Sequence, residues 1–418
     1  MSKNSQAPRG MQDLLPQEWA KHRWIEDSAL RVGKRFGYSG VETPKLEFTD
    51  LFHRGLGETS DMVSKETYTF QDRSGDSLTL RPEGTAGLLR AVISNGVQQD
   101  LPLKWMYMGP MFRHERPQKG RLREFHQIGA EALGYIEPWI EAETIALGQS
   151  FLRDLGLQGR FRLLINSVGD VESRQRHREK FVHYLTPYFQ DLSSDSQIRF
   201  AKNPLRIFDS KDARDQEILS GAPTLQESLS DLARAHFEEV LEILGVWGID
   251  FEVCPRLVRG IDYYTHSVFE FVTEDLGAQG TLLAGGRYDS LLKELGGPDQ
   301  PGVGWGAGVE RLALMLPPAE FTAKGTLNSV CVFAFDRGQA AEALRICQKL
   351  RAQDWTVEYL GVGSPGKKMK KANKLQARWV CFIGEAEMQK QEVQVKNMET
   401  GEQSSVSWSQ ISNHLKIT

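Results

Sequence analysis

Cysteine is scarce in this chain of 418 residues: Cys254, Cys331, Cys347 and Cys381 stand singly. No pair has metal-ligand spacing, and a chain of this length holds its core without a disulfide framework. Zinc modules and small secreted scaffolds are therefore excluded, and a reducing cytoplasm is the expected compartment. Apolar runs approaching the ~20 residues of a membrane span are also missing, so no membrane association is expected. The opening "MSKNSQAPRGMQDLLP" has no apolar core behind its charges and does not read as a secretory signal. Internal repeats, low-complexity tracts and clusters of His, Cys, Asp and Glu are lacking too, so no side-chain metal site is expected. A net charge of −4 excludes a uniformly basic coat for nucleic acid. What remains is an ordinary globular composition, 40% hydrophobic and 25% charged, with length for two or three domains.

The charge is unevenly spread. Residues 325–418 hold 13 Lys and Arg against 9 Asp and Glu, a balance of +4, which leaves the rest of the chain at −8. A basic tail on an acidic body suggests a polyanion meeting one end of the molecule. Pattern divides the chain similarly. "EWAKHRWIEDSALRVGKRFG" has helical spacing and a glycine stop. "YSGVETPKLEF" and "SLTLRPEG" are short alternating stretches. Residues 170–250 are polar and helical, as an inserted subdomain would be. "FEVCPRLVRGIDYYTHSVFEFV" reads as strand, and "GTLLAGGRYDSLLKELG" and "PGVGWGAGVERLALMLP" each read as strand, glycine turn and helix. After residue 324 strands and helices alternate ("SVCVFAF", "AAEALRICQKLRAQ", "WTVEYL", "KKMKKANKLQA", "RWVCFIG"), which predicts a separate, largely parallel α/β domain over 325–418. The whole is α+β.

Chemistry concentrates in "FRHERPQKGRLREFHQ", residues 112–127, which carries Arg113, Arg116, Lys119, Arg121 and Arg123 against Glu115 and Glu124. Pro117 and Gly120 break it, and the flanking "LKWMYMGPMFRHE" and "REFHQIGAEALG" read as antiparallel neighbours joined by this basic turn. Arg113, Glu115, Arg123, Phe125, Gln127 and Glu131 share odd parity, hence one face. Ile128, Ala130 and Ala132 take the other. A strand face of arginines, carboxylates, an amide and an aromatic is a site floor rather than core. His114 and His126, even-numbered, read as packed residues. Arg81, Arg259 and Arg311 also sit beside glycine, proline or alternating polar residues. Any one arginine is more often a salt-bridge partner than a ligand, but several guanidinium forks together suit a polyphosphate. "GVGWGA" (Gly302–Ala307) matches a dinucleotide fingerprint but lacks the strand it needs before it. "GVGSPGKK" (Gly361–Lys368) resembles a Walker A loop but has Lys368 where magnesium needs a hydroxyl. In "AGGRYDSLL" the glycines allow close backbone approach to a ligand.

Together these segments resemble the class II aminoacyl-tRNA synthetases, and within them the histidyl-tRNA synthetase family, from end to end. "FRHERPQKGRLREFHQIGAE" is similar to motif 2, "GVGWGAGVERLALM" to motif 3, and "GYSGVETPKLEF" with its preceding helix to the dimer-forming motif 1. "RLVRGIDYYTH", "AGGRYDSLL" and "TLRPEGT" mark the histidine branch. The resemblance implies an antiparallel catalytic sheet flanked by helices over 1–324, a helical insertion at 170–250, and an anticodon-binding domain over 325–418. It implies a homodimer that joins L-histidine to tRNA(His), with ATP as substrate and Mg2+ on its polyphosphate.

The implied roles fall on particular residues. Arg113 holds the α-phosphate, Glu115 the adenine amino group and Phe125 the adenine face. Arg311 grips the γ-phosphate, with Arg121 near the β/γ end. Glu83, Thr85 and Gln127 serve the substrate's α-amino side. Glu131 and Tyr264 bond its imidazole, beside Tyr263 and Tyr288, and Arg259 sits between the attacking carboxylate and the α-phosphate. Arg113, Arg259 and Arg311 are the catalytic set, and Arg116, Gln118 and Lys119 reach the tRNA acceptor end. The residues agree with this chemistry: two anions must meet, fixed cations offset their repulsion, and no side-chain nucleophile is needed. The rival implied by the same resemblance is a non-catalytic regulatory relative from histidine biosynthesis. Such proteins generally lack the tail domain and have eroded motifs.

Overall fold

The computed structural model describes residues 6–57, 62–118, 120–202, 204–259, 263–277, 280–317 and 329–417. It divides into two compact units, Met1–Leu316 and Pro317–Thr418. The step expected at 324/325 lies outside the described residues.

The first unit begins with α1 (Pro16–Arg35), β1 (Ser39–Val41), β2 (Leu46–Phe48), α2 (Thr49–Leu56), β3 (Tyr68–Gln71), β4 (Ser77–Leu80) and α3 (Thr85–Ser94). Two long strands follow, β5 (Leu103–Phe112) and β6 (Glu124–Leu133), then α4 (Trp139–Asp154) and β7 (Arg162–Ser167). The chain next leaves the sheet for α5 (Val171–Leu185), α6 (Ser194–Lys202), α7 (Ala213–Leu219) and α8 (Asp231–Val246). It returns as β8 (Glu252–Val253), β9 (Thr265–Val272), β10 (Thr281–Tyr288), α9 (Leu291–Glu294), β11 (Gly302–Gly308) and α10 (Val309–Met315). Eight strands form one sheet in the order β1-β5-β6-β11-β10-β9-β7-β8, and β2, β4 and β3 make a small second sheet. The large sheet is antiparallel except at its edges, where β1 runs parallel to β5 and β8 to β7.

Parity decides what each face of the large sheet does. On β6, Ile128, Ala130 and Ala132 are buried, and α1, α4 and α10 pack against this strand. Trp305 of β11 turns to the same side. It stacks on Phe151 of α4 at 6.0 Å and donates its indole N–H to the Thr144 carbonyl at 3.1 Å, so a large aromatic is buried with its polar tip satisfied. The opposite face carries the site.

Two expectations change here. The glycine-rich segments of 281–288 and 302–308 are not turns: Gly285, Gly286, Gly302, Gly304 and Gly306 lie inside β10 and β11. Turn chemistry is not the reason for these glycines. A Cβ at Gly304 would come within 1.7 Å of the Glu131 carboxylate, one at Gly306 within 2.0 Å of the Gln127 amide, and one at Gly302 within 2.1 Å of the Tyr288 ring. The second change concerns 252–272, where a short β8 and then non-strand chain precede β9, with residues 260–262 outside the described set.

The helices between β7 and β8 have their own core of Phe181, Leu185, Leu192, Ile207, Ile218 and Leu219. Asp170 caps α5 by accepting from the Ser173 amide at 2.7 Å, and also accepts from the Ser230 hydroxyl at 2.6 Å just before α8. One carboxylate thereby ties two helix N-termini together, and these bonds outweigh partial burial to hold its pKa down at about 2.

The second unit runs β12 (Ser329–Ala334), α11 (Arg337–Arg351), β13 (Thr356–Val362), α12 (Pro365–Lys374), β14 (Trp379–Ile383), α13 (Glu385–Lys390), β15 (Glu392–Asn397), β16 (Gln403–Ser407) and α14 (Ile411–Ile417). Its sheet, β13-β12-β14-β15-β16, is parallel across the first three strands and closes with two antiparallel ones, so it is mixed rather than largely parallel. Even residues of β12 feed one core and odd residues the other, so helices cover both faces. Burial pushes the Cys331 and Cys347 thiols up to about 11, and these cysteines act as small packed hydrophobes. Lys368 bends back to the Leu360 carbonyl, while Lys367, Lys370, Lys371 and Lys374 on α12 are exposed. Among the described residues, no helix is long and apolar enough to cross a membrane.

Candidate active site

On the sheet's other face, β10 and β11 contribute Ala284, Gly286, Gly302, Gly304 and Gly306, so the middle of the sheet is a trough of bare backbone. Longer side chains from β6, from the loop before α3 and from the segment before β9 wall it. The resulting cleft holds about 990 Å³, open mouth included. It is lined by Glu83, Thr85, Arg113, Glu115, Arg121, Phe125, Gln127, Glu131, Arg259, Tyr263, Tyr264, Tyr288 and Arg311. Residues from five separate stretches of sequence therefore meet around one space. Arg81 and Arg123 do not line it. The buried Arg81 donates to the Pro110 and Thr43 carbonyls at 3.0 and 3.1 Å and is a structural brace. Arg123, beyond the end of β6, donates to the Glu115 carbonyl at 3.2 Å. Arg116 and Gln118 are exposed on the turn, and Lys119 lies outside the described residues.

The deep end is carboxylate and phenol. Glu131, 1% exposed, accepts from the Thr85 hydroxyl at 2.7 Å and from the Tyr288 hydroxyl at 2.5 Å. Burial outweighs these two donors and pushes its carboxyl up to about 8, with the nearby Glu83 charge adding to the rise. Glu83 caps α3 with both oxygens, accepting from the Thr85 and Ala86 amides at 2.6 and 2.8 Å. Burial raises its pKa despite them. Tyr263 packs on Tyr264 at 4.7 Å and on Tyr288 at 5.5 Å. The oxygen Oε1 of Gln127 is buried and has no hydrogen-bond partner.

The other end is cationic. Arg113 donates to the Pro82 carbonyl at 2.8 Å and its guanidinium lies 5.2 Å over the Phe125 ring, which leaves a flat aromatic beside a fixed positive charge. Glu115 pairs with Arg121 at 2.8 Å and more distantly with Arg113 at 3.9 Å. Arg311 donates to the Thr281 carbonyl at 2.9 Å. Burial, followed by repulsion from Arg121, lowers its pKa. Across the cleft Arg259 pairs with Glu270, which also accepts from Thr281, yet the Arg259 Nε–H is buried with no partner. The cleft thus holds an orphaned acceptor on Gln127 and an orphaned donor on Arg259. Buried polar groups usually find a partner, so these two are free to bond a molecule that enters the cleft.

Three contributors escape a reading of the sequence. Tyr107 stands on the site face behind the cleft wall, where its ring fills the space left by Gly84 and Gly129. Its odd parity on β5, opposite Gly129, was the available signal. Glu270 is a lone carboxylate in the apolar alternation "SVFEFV". Glu310 lines the cleft beside Arg311 and bonds His126. His126, His22 and Glu310 come together with donor atoms within 4.8 Å of one another, a cluster that sequence spacing could not reveal. His114, expected to be packed, is exposed with its ring edge-on to Tyr68 at 5.6 Å.

Comparison with known proteins agrees with this architecture. A family model described as histidyl-tRNA synthetase matches residues 10–312, and one described as an anticodon binding domain matches 329–417. The chain is 49% identical over 401 residues to a histidine–tRNA ligase of Rhodospirillum rubrum, covering 96% of each chain. It is 48% identical over 403 residues to that of Thermosynechococcus vestitus, covering 95% of this chain and 93% of the relative. The crystal structure of apo histidyl-tRNA synthetase from S. aureus superposes with a TM-score of 0.82 at 33% identity, over 98% of this chain and 99% of the other. A Bacillus halodurans structure, titled as an ATP phosphoribosyltransferase regulatory subunit/histidyl-tRNA synthetase, shares the fold at a TM-score of 0.65 and 24% identity, over 92% of this chain and 98% of its own. The chain belongs to the histidyl-tRNA synthetase family of class II aminoacyl-tRNA synthetases.

Proposed function

We infer that this protein is a histidine–tRNA ligase, which activates L-histidine with ATP and passes the acyl group to the 3′ end of tRNA(His). The observation that carries the reading is the convergence of Arg113, Arg259 and Arg311 on one cleft whose far end holds Glu131, Tyr264 and Tyr288. Histidine enters with its ring toward Glu131 and Tyr264. Its ammonium meets Glu83, Thr85 and the unpartnered Gln127 oxygen. ATP lays its adenine on Phe125, its amino group toward Glu115, its α-phosphate at Arg113 and its γ-phosphate at Arg311, with Arg121 nearby. The histidine carboxylate then attacks the α-phosphorus, the bond to the bridging oxygen breaks, and pyrophosphate leaves. Arg113 on one side and the unpartnered Nε–H of Arg259 on the other offset the charge where the two anions meet. In the second step a terminal ribose hydroxyl attacks the acyl carbon and AMP leaves. Mg2+ enters with ATP as part of the substrate. Glu115 and Glu310, carboxylates lining that end, are already bonded to protein donors, so the polyphosphate oxygens are the fitting ligands.

The exposed Arg116 and Gln118, with Lys119, are assigned to the acceptor end of the tRNA, and the domain over 325–418 to its anticodon. A cytoplasmic homodimer is the working assembly. Leu46, Phe48 and Phe70 lie on one face of the β2-β4-β3 sheet and are exposed, a surface suited to a second copy of the chain. The regulatory rival shares the fold over most of the chain, so neither fold nor the tail domain separates the two readings; the full set of cleft cations favours the enzyme.

Histidine-dependent exchange of labelled pyrophosphate into ATP is the decisive assay. Exchange with histidine and with no other amino acid is expected, and its absence with all of them would overturn the reading. Arg259→Ala is expected to lower the exchange rate by two to three orders of magnitude, the scale of losing one preorganised charge donor, with the melting temperature little changed. A near-normal rate would remove Arg259 from the reaction.

A further inference from the structure

Glu310 occupies an unusual position in the sheet. The β6–β11 ladder ends at the pair Gln127–Gly308, because β11 gives way to α10 at Val309. One residue further along β6 is His126, whose N–H points to the side on which β11 has already ended and offers no carbonyl. The His126 N–H would be left without a strand partner. The Glu310 carboxylate takes it from the first turn of α10, at 2.9 Å to Oε1 and 3.0 Å to Oε2, and also accepts from the His126 ring Nδ1 at 2.9 Å. His22 of α1 closes the far side, its ring edge-on to His126 at 5.1 Å. These three residues have the donor chemistry of a cation site. However, both Glu310 oxygens already accept from N–H groups, and a cation would have to displace them.

The neighbours of this contact are the two ends of the nucleotide subsite. Phe125 precedes His126, and Arg311 follows Glu310. Arg311 is itself bonded to Thr281 of β10, so the first turn of α10 is pinned to β6 by one residue and to β10 by the next.

We propose that Glu310 is a positioning residue for ATP: by replacing the missing strand it locks the first turn of α10 to β6 and so sets the spacing between the adenine platform at Phe125 and the phosphate grip at Arg311. This rests on the adenylate-forming reading above. Histidine contacts neither residue in that reading, so the effect falls on ATP. A carboxylate is not required for its charge; an oxygen at that reach is enough.

The test is exchange kinetics on the full-length protein carrying Glu310→Ala, Glu310→Gln or Glu310→Asp. Glu310→Ala is expected to raise the KM for ATP about tenfold or more while the KM for histidine stays within about twofold, since a displacement near 1 Å is enough to cost much of an oriented contact. Glu310→Gln, which keeps an acceptor at full reach, should recover most of the loss. Glu310→Asp, which keeps the charge but is one methylene short, should not, and the Gln/Asp contrast decides the matter even if the alanine variant fails to fold. In a double-mutant cycle Arg311→Ala should cost at least about threefold less in the Glu310→Ala background than alone, because one acts through the other. Additive effects, equal rises in both KM values, or an aspartate variant better than the glutamine variant would overturn the proposal. Selective 15N-histidine labelling separates this failure from failure of the catalytic reading. The His126 amide should exchange with solvent faster in Glu310→Ala than in Glu310→Gln whether or not the protein forms an adenylate, and equal exchange would exclude the brace.

Discussion

Glu131 has both oxygens engaged by Thr85 and Tyr288 and is buried far from solvent, so its carboxyl holds a proton up to about pH 8 in the empty site. In the unfolded chain it would lose that proton near 4.5, the ordinary value of a glutamate carboxyl. Between those two values the folded state therefore binds one proton more than the unfolded state. Stability must fall as pH rises from about 4.5 to about 8, then level off. Replacing the group with a neutral amide removes this dependence. Glu131→Gln is expected to melt close to the wild type at pH 5 and about 5 °C or more above it at pH 8.5, since a rise from about 4.5 to about 8 corresponds to roughly 5 kcal/mol at most. The same variant should lose roughly a hundredfold in kcat/KM for histidine, because a carboxylate that can take up or release a proton toward the imidazole is replaced by a fixed donor–acceptor pair. Parallel melting profiles would show that Glu131 is ionised in the empty site. A stabilised but inactive variant would mean that burial here is tolerated for function at a cost in stability.

At the scale of elements, the glycine-bearing strands β10 and β11 show that one residue type serves different purposes. Gly304 faces Glu131 across the β6–β11 pair, and a methyl group there would lie 1.7 Å from a carboxylate oxygen that already holds Tyr288. Gly304→Ala should destabilise by about 1–3 kcal/mol through overpacking and should raise the KM for histidine before it affects that for ATP. Gly338→Ala is the control. This residue lies in α11 with nothing within 4 Å of the added carbon, and the change should be neutral or stabilise by up to about 1 kcal/mol. Thermal melting of both variants checks the pair. The contrast also explains what the sequence could and could not reveal. The alternation around Gln127 and Glu131 was legible, because a half-buried strand writes its two faces into its own residues. The trough was not. Glycine reads locally as a turn, and the reason for Gly302, Gly304 and Gly306 lies in side chains from β6 and β10, far away in the chain. Arg81 and Arg123 were misleading for a similar reason: an arginine beside proline or glycine looks the same whether it serves a ligand or a carbonyl, and only the fold separates Arg81 from Arg113.

On the scale of the whole molecule, chemistry and charge are divided between two units with separate hydrophobic cores. Residues 325–418 carry a balance of +4 while the rest of the chain carries −8. Every residue assigned to the adenylate-forming step lies in the first unit. Activation needs only two small molecules in one cleft, so removing residues 325–418 should leave histidine-dependent pyrophosphate exchange within about threefold of the intact protein. Charging of tRNA(His) also needs a large polyanion to be held while its acceptor end reacts, and contacts to phosphates supply much of such binding. The truncated protein should therefore lose charging by two orders of magnitude or more, chiefly through a raised KM for tRNA. Residual charging should depend less steeply on salt than in the intact protein, because fewer phosphate contacts remain to release counterions. The exposed lysines of α12, Lys367, Lys370, Lys371 and Lys374, are the first candidates for those contacts. Changing the four to glutamine in the intact chain should reproduce part of the tRNA defect and flatten the salt slope, with exchange untouched. Equal losses of exchange and charging on truncation would mean that the second unit supports the catalytic fold itself, and an unchanged salt slope in the lysine variant would move the RNA contact elsewhere on that unit.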